Sequence, residues 1–166
     1  MKKGTNKATK KSIQKASPLR TALQKESELL PLVLDGLGAV DNDHRAYFDI
    51  AIRNKFADSL NLDQALLIGH EQENRWDYLL GHTPSRKIIA VEPHSAKQDE
   101  ISTVINKRKA AIQHLRDHLR DGSKVEKWLW VASGRVHFAK TEKVALQLIQ
   151  NGIEFVGTRV TSKHLP

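Results

Sequence analysis

The sequence predicts an α/β domain with a mixed sheet of four to five strands flanked by helices. Three observations lead there. Two short apolar runs, Trp76–Leu80 and Lys87–Val91, flank the turn-forming stretch HTPSR, which reads as a hairpin. A long amphipathic pattern from about Ala96 to Arg120 follows, with Ile101, Val104, Ile105, Ile112, Leu115 and Leu119 on one side. A strand-like run from Lys127 to Ser133, a short helix around Glu142–Asn151 and a last strand at Ile153–Val156 complete the order. A strand, a helical crossover and a second strand in one sheet leave the two strands parallel, so Val91 and Trp130 should lie on parallel neighbours.

From Met1 to Lys25 there are seven lysines and Arg20 with no acidic residue, so this segment carries the whole net charge of +8. Rich in Lys, Thr, Ser and Asn, it buries too little apolar surface to fold alone, and residues 1–25 are expected to be a disordered basic arm ahead of a single domain spanning 26–166. Lys2, Lys3, Lys7, Lys10, Lys11, Lys15 and Arg20 would then bind nucleic acid by counterion release, without choosing a sequence. A solubility tail explains the same charge.

A short helix is allowed at Thr21–Leu30, ended by Pro31, Gly36 and Gly38. Phe48, Ile52 and Phe56 repeat every four residues, which predicts a helix over Asp41–Leu60, capped by Asp41, Asn42 or Asp43. His44, Asp49 and Arg53 belong to its wet face. Leu66–Ile68 fits a strand or a helix end equally. Ser95 and Gln98 have capping-box spacing before the long helix, and Gly122 ends it.

The hairpin carries the chemistry. With Gly81 set opposite Arg86, Asp77 faces Ala90 and lies diagonal to Glu92, and Asp77, Glu92 and His94 share one face of the sheet. Two converging carboxylates repel unless a proton or cation is shared, which points to a hard divalent metal. Two charged residues on a solvated sheet face are the plain alternative.

Other groupings point less clearly. His114 and His118 have the i, i+4 spacing of zinc ligands but no third ligand beside them in sequence, so a polar helix edge is expected. Trp128 and Trp130 share one face of their strand and read as core rather than as a base-stacking platform. Ser133, Gly134 and Arg135 are too few for a phosphate loop. There is no cysteine, which excludes disulfides and thiolate sites, and no apolar run of membrane-spanning length, so a cytoplasmic protein without a membrane partner is expected. A protein partner and the oligomeric state are left open.

A helix, a hairpin bearing Asp77 and then Glu92-Pro93-His94, a helix starting just after, and a further apolar strand resemble the core of the PD-(D/E)XK nuclease superfamily, over roughly Asp41–Ser133. The resemblance implies a restriction-endonuclease-like fold and a metal-dependent nuclease acting on DNA or RNA. It also allows an inactive relative that binds nucleic acid or a protein. By the same resemblance Asp77 and Glu92 would bind Mg²⁺ or Mn²⁺, with the Pro93 carbonyl as third ligand. The chain departs from the pattern at His94, where the family usually has lysine. His94 as a base, or Lys97 from the next turn, would assist the attacking water; Glu71 and Glu73, just before the first strand, have no register that would assign either as a further ligand.

Overall fold

Residues 82 to 87 decide where every side chain of the hairpin falls. In the computed structural model, which describes residues 17–138 and 142–166, strand β3 (Tyr78–His82) pairs antiparallel with β4 (Lys87–Ala96), with Tyr78 opposite Val91 and Gly81 opposite Ile88. The expected partner of Gly81, Arg86, instead occupies the turn in the left-handed region at φ 57°. This shifts the register by two residues and, continued one step past the last ladder pair, sets Asp77, the residue before β3, across from Glu92. A shift of two preserves the faces, so both side chains still emerge on the same side.

Six strands form one sheet in sequence order. Strands β1 (Leu34–Asp35), β2 (Phe56–Asn61), β3 and β4 form an antiparallel meander; β5 (Val125–Val136) lies parallel to β4, and β6 (Ile153–Phe155) parallel to β5. The parallel placement of Val91 beside Leu129 and of Glu92 beside Trp130 agrees with the crossover expectation. The sheet exceeds the expected strand count because β1 and β2 come from segments read as a break and as the end of a helix.

The two faces are covered differently. On one side Leu60, Leu79, Ile88, Ala90, Trp128 and Trp130 pack under helices α1 (Pro18–Ala22), α2 (Leu62–Ala65), α3 (Ile101–Leu115) and α4 (Glu142–Gln150). On the other, Tyr78, Leu80, Ile89, Val91, Leu129 and Val131 pack against Val40, Phe48, Ile52 and Val160. The Asp41–Leu60 helix is therefore corrected: two 3₁₀ turns, Asn42–Tyr47 and Ile50–Lys55, precede β2. The stripe of Phe48, Ile52 and Phe56 is buried as its spacing implied. Phe48, however, forms a bridge to Val160, and the Asp49 carboxylate caps Ala51 N–H and restarts the chain there.

Both tryptophans of β5 are core residues. Trp128 meets Trp76 edge-on with ring centroids 5.0 Å apart, and Trp130 packs on Phe138 and Phe155. Leu66 ends the short α2 helix, which settles the ambiguous Leu66–Ile68 run as helix end and turn. Helix α3 starts at Ile101, later than expected, because β4 continues to Ala96. Ser95 lies within that strand, where its hydroxyl is buried without a partner among the described residues, so the capping box does not form.

The boundary at residue 25 is also corrected. Ser17, Leu19, Ala22 and Leu23 are buried, and α1 begins with Pro18 at its first turn. The free N–H groups of Leu19 and Arg20 donate to the buried Asp58 carboxylate of β2 at 3.3 and 3.0 Å, replacing the cap that Ser17 does not supply. Arg20 donates to Asp35 and to the Val33 carbonyl, so it serves the fold rather than an arm. Lys2, Lys3, Lys7, Lys10, Lys11 and Lys15 lie outside the described residues.

Candidate functional site

Glu92 follows the run Ile88–Val91, and its strand places it on the helical face with no solvent exposure at all. A buried carboxylate is costly unless its charge and lone pairs are matched. Three groups do this. The Asp77 backbone N–H donates to Oε2 at 2.8 Å, Lys107 Nζ donates to Oε1, and His94 Nδ1 lies 3.4 Å from Oε1.

Lys107 ties the site together. It projects from α3 onto the sheet, its ammonium paired with Glu92 and 3.8 Å from Asp77 Oδ1. Burial opposes its charge, yet Glu92 and then Asp77 hold it protonated above the usual lysine range. The sequence carried a signal for it. Lys107 stands three residues after Val104 and four before Ala111, both buried, so a cation interrupts the stripe that faces the sheet.

Asp77 is the open member. Its side chain is 21% exposed, and the nearest cation to its carboxylate is the 3.8 Å ammonium. Burial first, and then the neighbouring Glu92 charge, push its pKa up to about 7. At neutral pH this carboxyl therefore exchanges its proton readily and can trade it for another cation.

The structure brings His94 to the pair but not as a free base. Its Nε2 lies 2.9 Å from Glu100 Oε2 while Nδ1 faces Glu92. Contact with Glu92, supported by Glu100 and opposed by burial, raises its pKa. Its backbone carbonyl accepts the Trp130 indole N–H at 3.1 Å, anchoring the strand exit. Lys97 is exposed ahead of the 3₁₀ turn Gln98–Glu100 and makes no ion pair with Asp77 or Glu92 among the described residues. Pro93 is buried in β4 beside Val131.

Two other expectations find different surroundings. His118 Nδ1 pairs with the Ser27 hydroxyl at 2.8 Å, whereas His114 Nε2 meets Glu73 at 2.6 Å and shares it with His70, so the i, i+4 histidines do not act together. Glu71 folds back on the Gly69 N–H, and neither it nor Glu73 joins Asp77 and Glu92. Comparison of the chain with protein-family models, with curated proteins and with solved structures gives no match. Among the described residues no helix is long and apolar enough to cross a membrane.

Proposed function

We propose that the chain is a metal-dependent phosphodiesterase of the cytoplasm that cuts DNA or RNA on a restriction-endonuclease-like core. The observation that carries this reading is the convergence of Asp77, just before β3, Glu92 from β4 and Lys107 from α3. The order of hairpin, helix and parallel strand supports the same reading, being the order that the resemblance to PD-(D/E)XK nucleases implies. Lys107 then takes the place proposed for His94 or Lys97.

The residues fit a hard divalent ion, Mg²⁺ or Mn²⁺. Asp77 offers an accessible carboxylate whose proton is loosely held near neutrality. Glu92 offers Oε1, which Lys107 now occupies and can share or release; Oε2 stays bound to the Asp77 N–H. The Pro93 carbonyl is the proposed third ligand, since proline keeps its acceptor. When bound, the ion supplies Lewis acidity that lowers the pKa of a coordinated water and offsets charge on phosphate oxygens.

The chain's own groups divide the remaining work. Lys107, kept cationic by two carboxylates, offsets negative charge on a phosphate brought to Asp77. His94, clamped between Glu92 and Glu100, orients Glu92 rather than accepting a proton from water. The lysines of residues 1–16 hold the polyanion without choosing its sequence.

A second reading is a non-catalytic domain that binds nucleic acid or a protein partner. One observation favours it: Glu92 is fully buried and both its oxygens already have donors. Calorimetric titration with Mg²⁺ and Mn²⁺, run beside plasmid nicking, separates the two. The nuclease reading expects one cation site and cation-dependent nicking, both lost in Asp77→Asn; the binding domain retains its nucleic-acid affinity in that variant and nicks nothing.

A further inference from the structure

About two helical turns along α3 from Lys107, roughly 10 Å by helical rise, a second cluster gathers around His114. His114 Nε2 and His70 Nδ1 both point at one oxygen, Glu73 Oε2, at 2.6 and 2.8 Å. The three ligand atoms all lie within 4.8 Å of one another, and the two imidazole centroids are 4.8 Å apart. We propose that His70, Glu73 and His114 form a binding site for a borderline transition metal, Zn²⁺ foremost, separate from the Asp77–Glu92 pair.

The donor set decides the class of ion. Two imidazoles and one carboxylate suit zinc and its neighbours, whereas Mg²⁺ prefers oxygen alone. Zn–N and Zn–O bonds of about 2.0–2.2 Å place tetrahedral ligand atoms roughly 3.3 Å apart. The two N···O contacts, at 2.6 and 2.8 Å, therefore need to open by about 0.7 and 0.5 Å, while the two ring nitrogens, within 4.8 Å of each other, settle to the same spacing. Glu73, with its side chain 50% exposed, is free to make that shift.

The scaffold is set before any ion arrives. His70 and Glu73 sit in the loop between α2 and β3, and Arg75 fixes that loop by donating to the carbonyls of both residues while its Nε holds Asp63 at 2.9 Å. The Glu73 N–H donates to the His70 carbonyl at 3.0 Å, forming the turn that puts the two side chains together. His114, only 9% exposed, closes the site from α3. An adjoining cavity of about 620 Å³, lined in part by Gln72, Asn74, Gln113 and Asp117, leaves the fourth position open to water or a small ligand.

Metal binding moves a proton on each ring that now donates to Oε2: the coordinating nitrogen presents its lone pair and the proton passes to the ring's other nitrogen. For His114 that nitrogen, Nδ1, is buried without a partner among the described residues. Lacking this outer hydrogen bond, the site should bind about 10–100-fold more weakly than one with complete support. The ion would fasten the loop leading into Asp77 to the helix bearing Lys107, a brace for the carboxylate site as well as a centre of its own.

The test uses the full, untagged chain stripped with chelator and titrated with Zn²⁺ by calorimetry and with Co²⁺ by visible absorption. Beyond any ion taken up by the Asp77–Glu92 pair, one further ion per chain, the intense bands of tetrahedral Co²⁺ and a zinc-dependent rise in melting temperature are expected. All three should vanish in His70→Asn and in Glu73→Gln and persist in His118→Ala and Asp77→Asn. His70 and Glu73 are surface residues, so metal-free melting of these variants near wild type would show that lost binding is not lost folding. No stoichiometric binding, or binding unchanged in His70→Asn and Glu73→Gln, would overturn the assignment.

Discussion

The backbone N–H of Asp77 donates to Oε2 of Glu92 at 2.8 Å, so the two acidic residues of the hairpin are locked across the ladder by a bond between one residue's main chain and the other's side chain. This bond holds Glu92 in one orientation and leaves the Asp77 carboxylate, partly exposed, 3.8 Å from the Lys107 ammonium. Lys107 completes the arrangement from the helix above.

Removing the ammonium should expose how much Glu92 depends on it. Breaking a buried ion pair by deleting one partner costs about 3–5 kcal/mol, because the remaining charge stays unmatched. Lys107→Met is therefore expected to lose stability on that scale in urea unfolding. Adding Glu92→Gln should recover part of the loss; a double variant less stable than Lys107→Met would refute this view of the pair.

Asp77 gives a pH dependence of definite sign. Its folded pKa of about 7 lies above the ordinary 3.8, so between those values the folded chain binds more protons than the unfolded one. Stability then falls as pH rises through that window and levels off above it. Asp77→Asn keeps a neutral group there, and its advantage over wild type should grow from about pH 4 to about pH 7. Unfolding midpoints measured in chelator across this range check the slope, and a constant difference between the two proteins would contradict it.

The hairpin, the long helix and the last strands were legible because their apolar periods are strong, even where Lys107 interrupts the helical stripe. Phe48, Ile52 and Phe56 misled: their four-residue spacing also serves two 3₁₀ turns entering a strand, and the bridge to Val160 that selects this arrangement is remote in sequence. The carboxylate pair was visible because strand alternation survives a register shift of two. The break that Lys107 makes in the helical stripe was there to be read, but its partners, like the pairing of His114 with His70, depend on how α3 settles on the sheet and the loop. Arg20 belonged by charge to the basic segment, and only Asp35 and Asp58, far along the chain, draw its residue into the fold.

Gly81 is required by closeness rather than by turn geometry. A Cβ there would come within 1.9 Å of Asp58 Oδ1 and 3.0 Å of Pro18 Cδ. Gly81→Ala should displace the carboxylate that caps α1, at a cost of about 1–3 kcal/mol for the stranded N–H groups. Limited trypsin digestion should then cleave after Arg20 or Lys25 well before it does in wild type; unchanged protection would count against this role for Asp58.

If residues 1–16 supply the electrostatic grip, deleting them should flatten the dependence of nucleic-acid affinity on salt, by about 0.7–0.9 in log–log slope for each phosphate that is no longer neutralised. Arg20→Gln should leave that slope unchanged, because Arg20 is engaged with Asp35 and Val33. Filter binding from low to moderate salt separates the two variants. An equal effect from both would place Arg20 against the nucleic acid after all.

Asp77, Glu92 and Lys107 are proposed to form a cation-dependent phosphodiester-cleaving centre, and one cleavage comparison tests that assignment. Supercoiled plasmid and single-stranded oligonucleotides are incubated with wild-type protein and with Asp77→Asn, each with Mg²⁺, with Mn²⁺ and with chelator. Wild type should cleave only when a divalent ion is present, and the variant should not cleave under any condition. Cleavage that persists in Asp77→Asn, or that is absent from wild type with both ions, would contradict the claim.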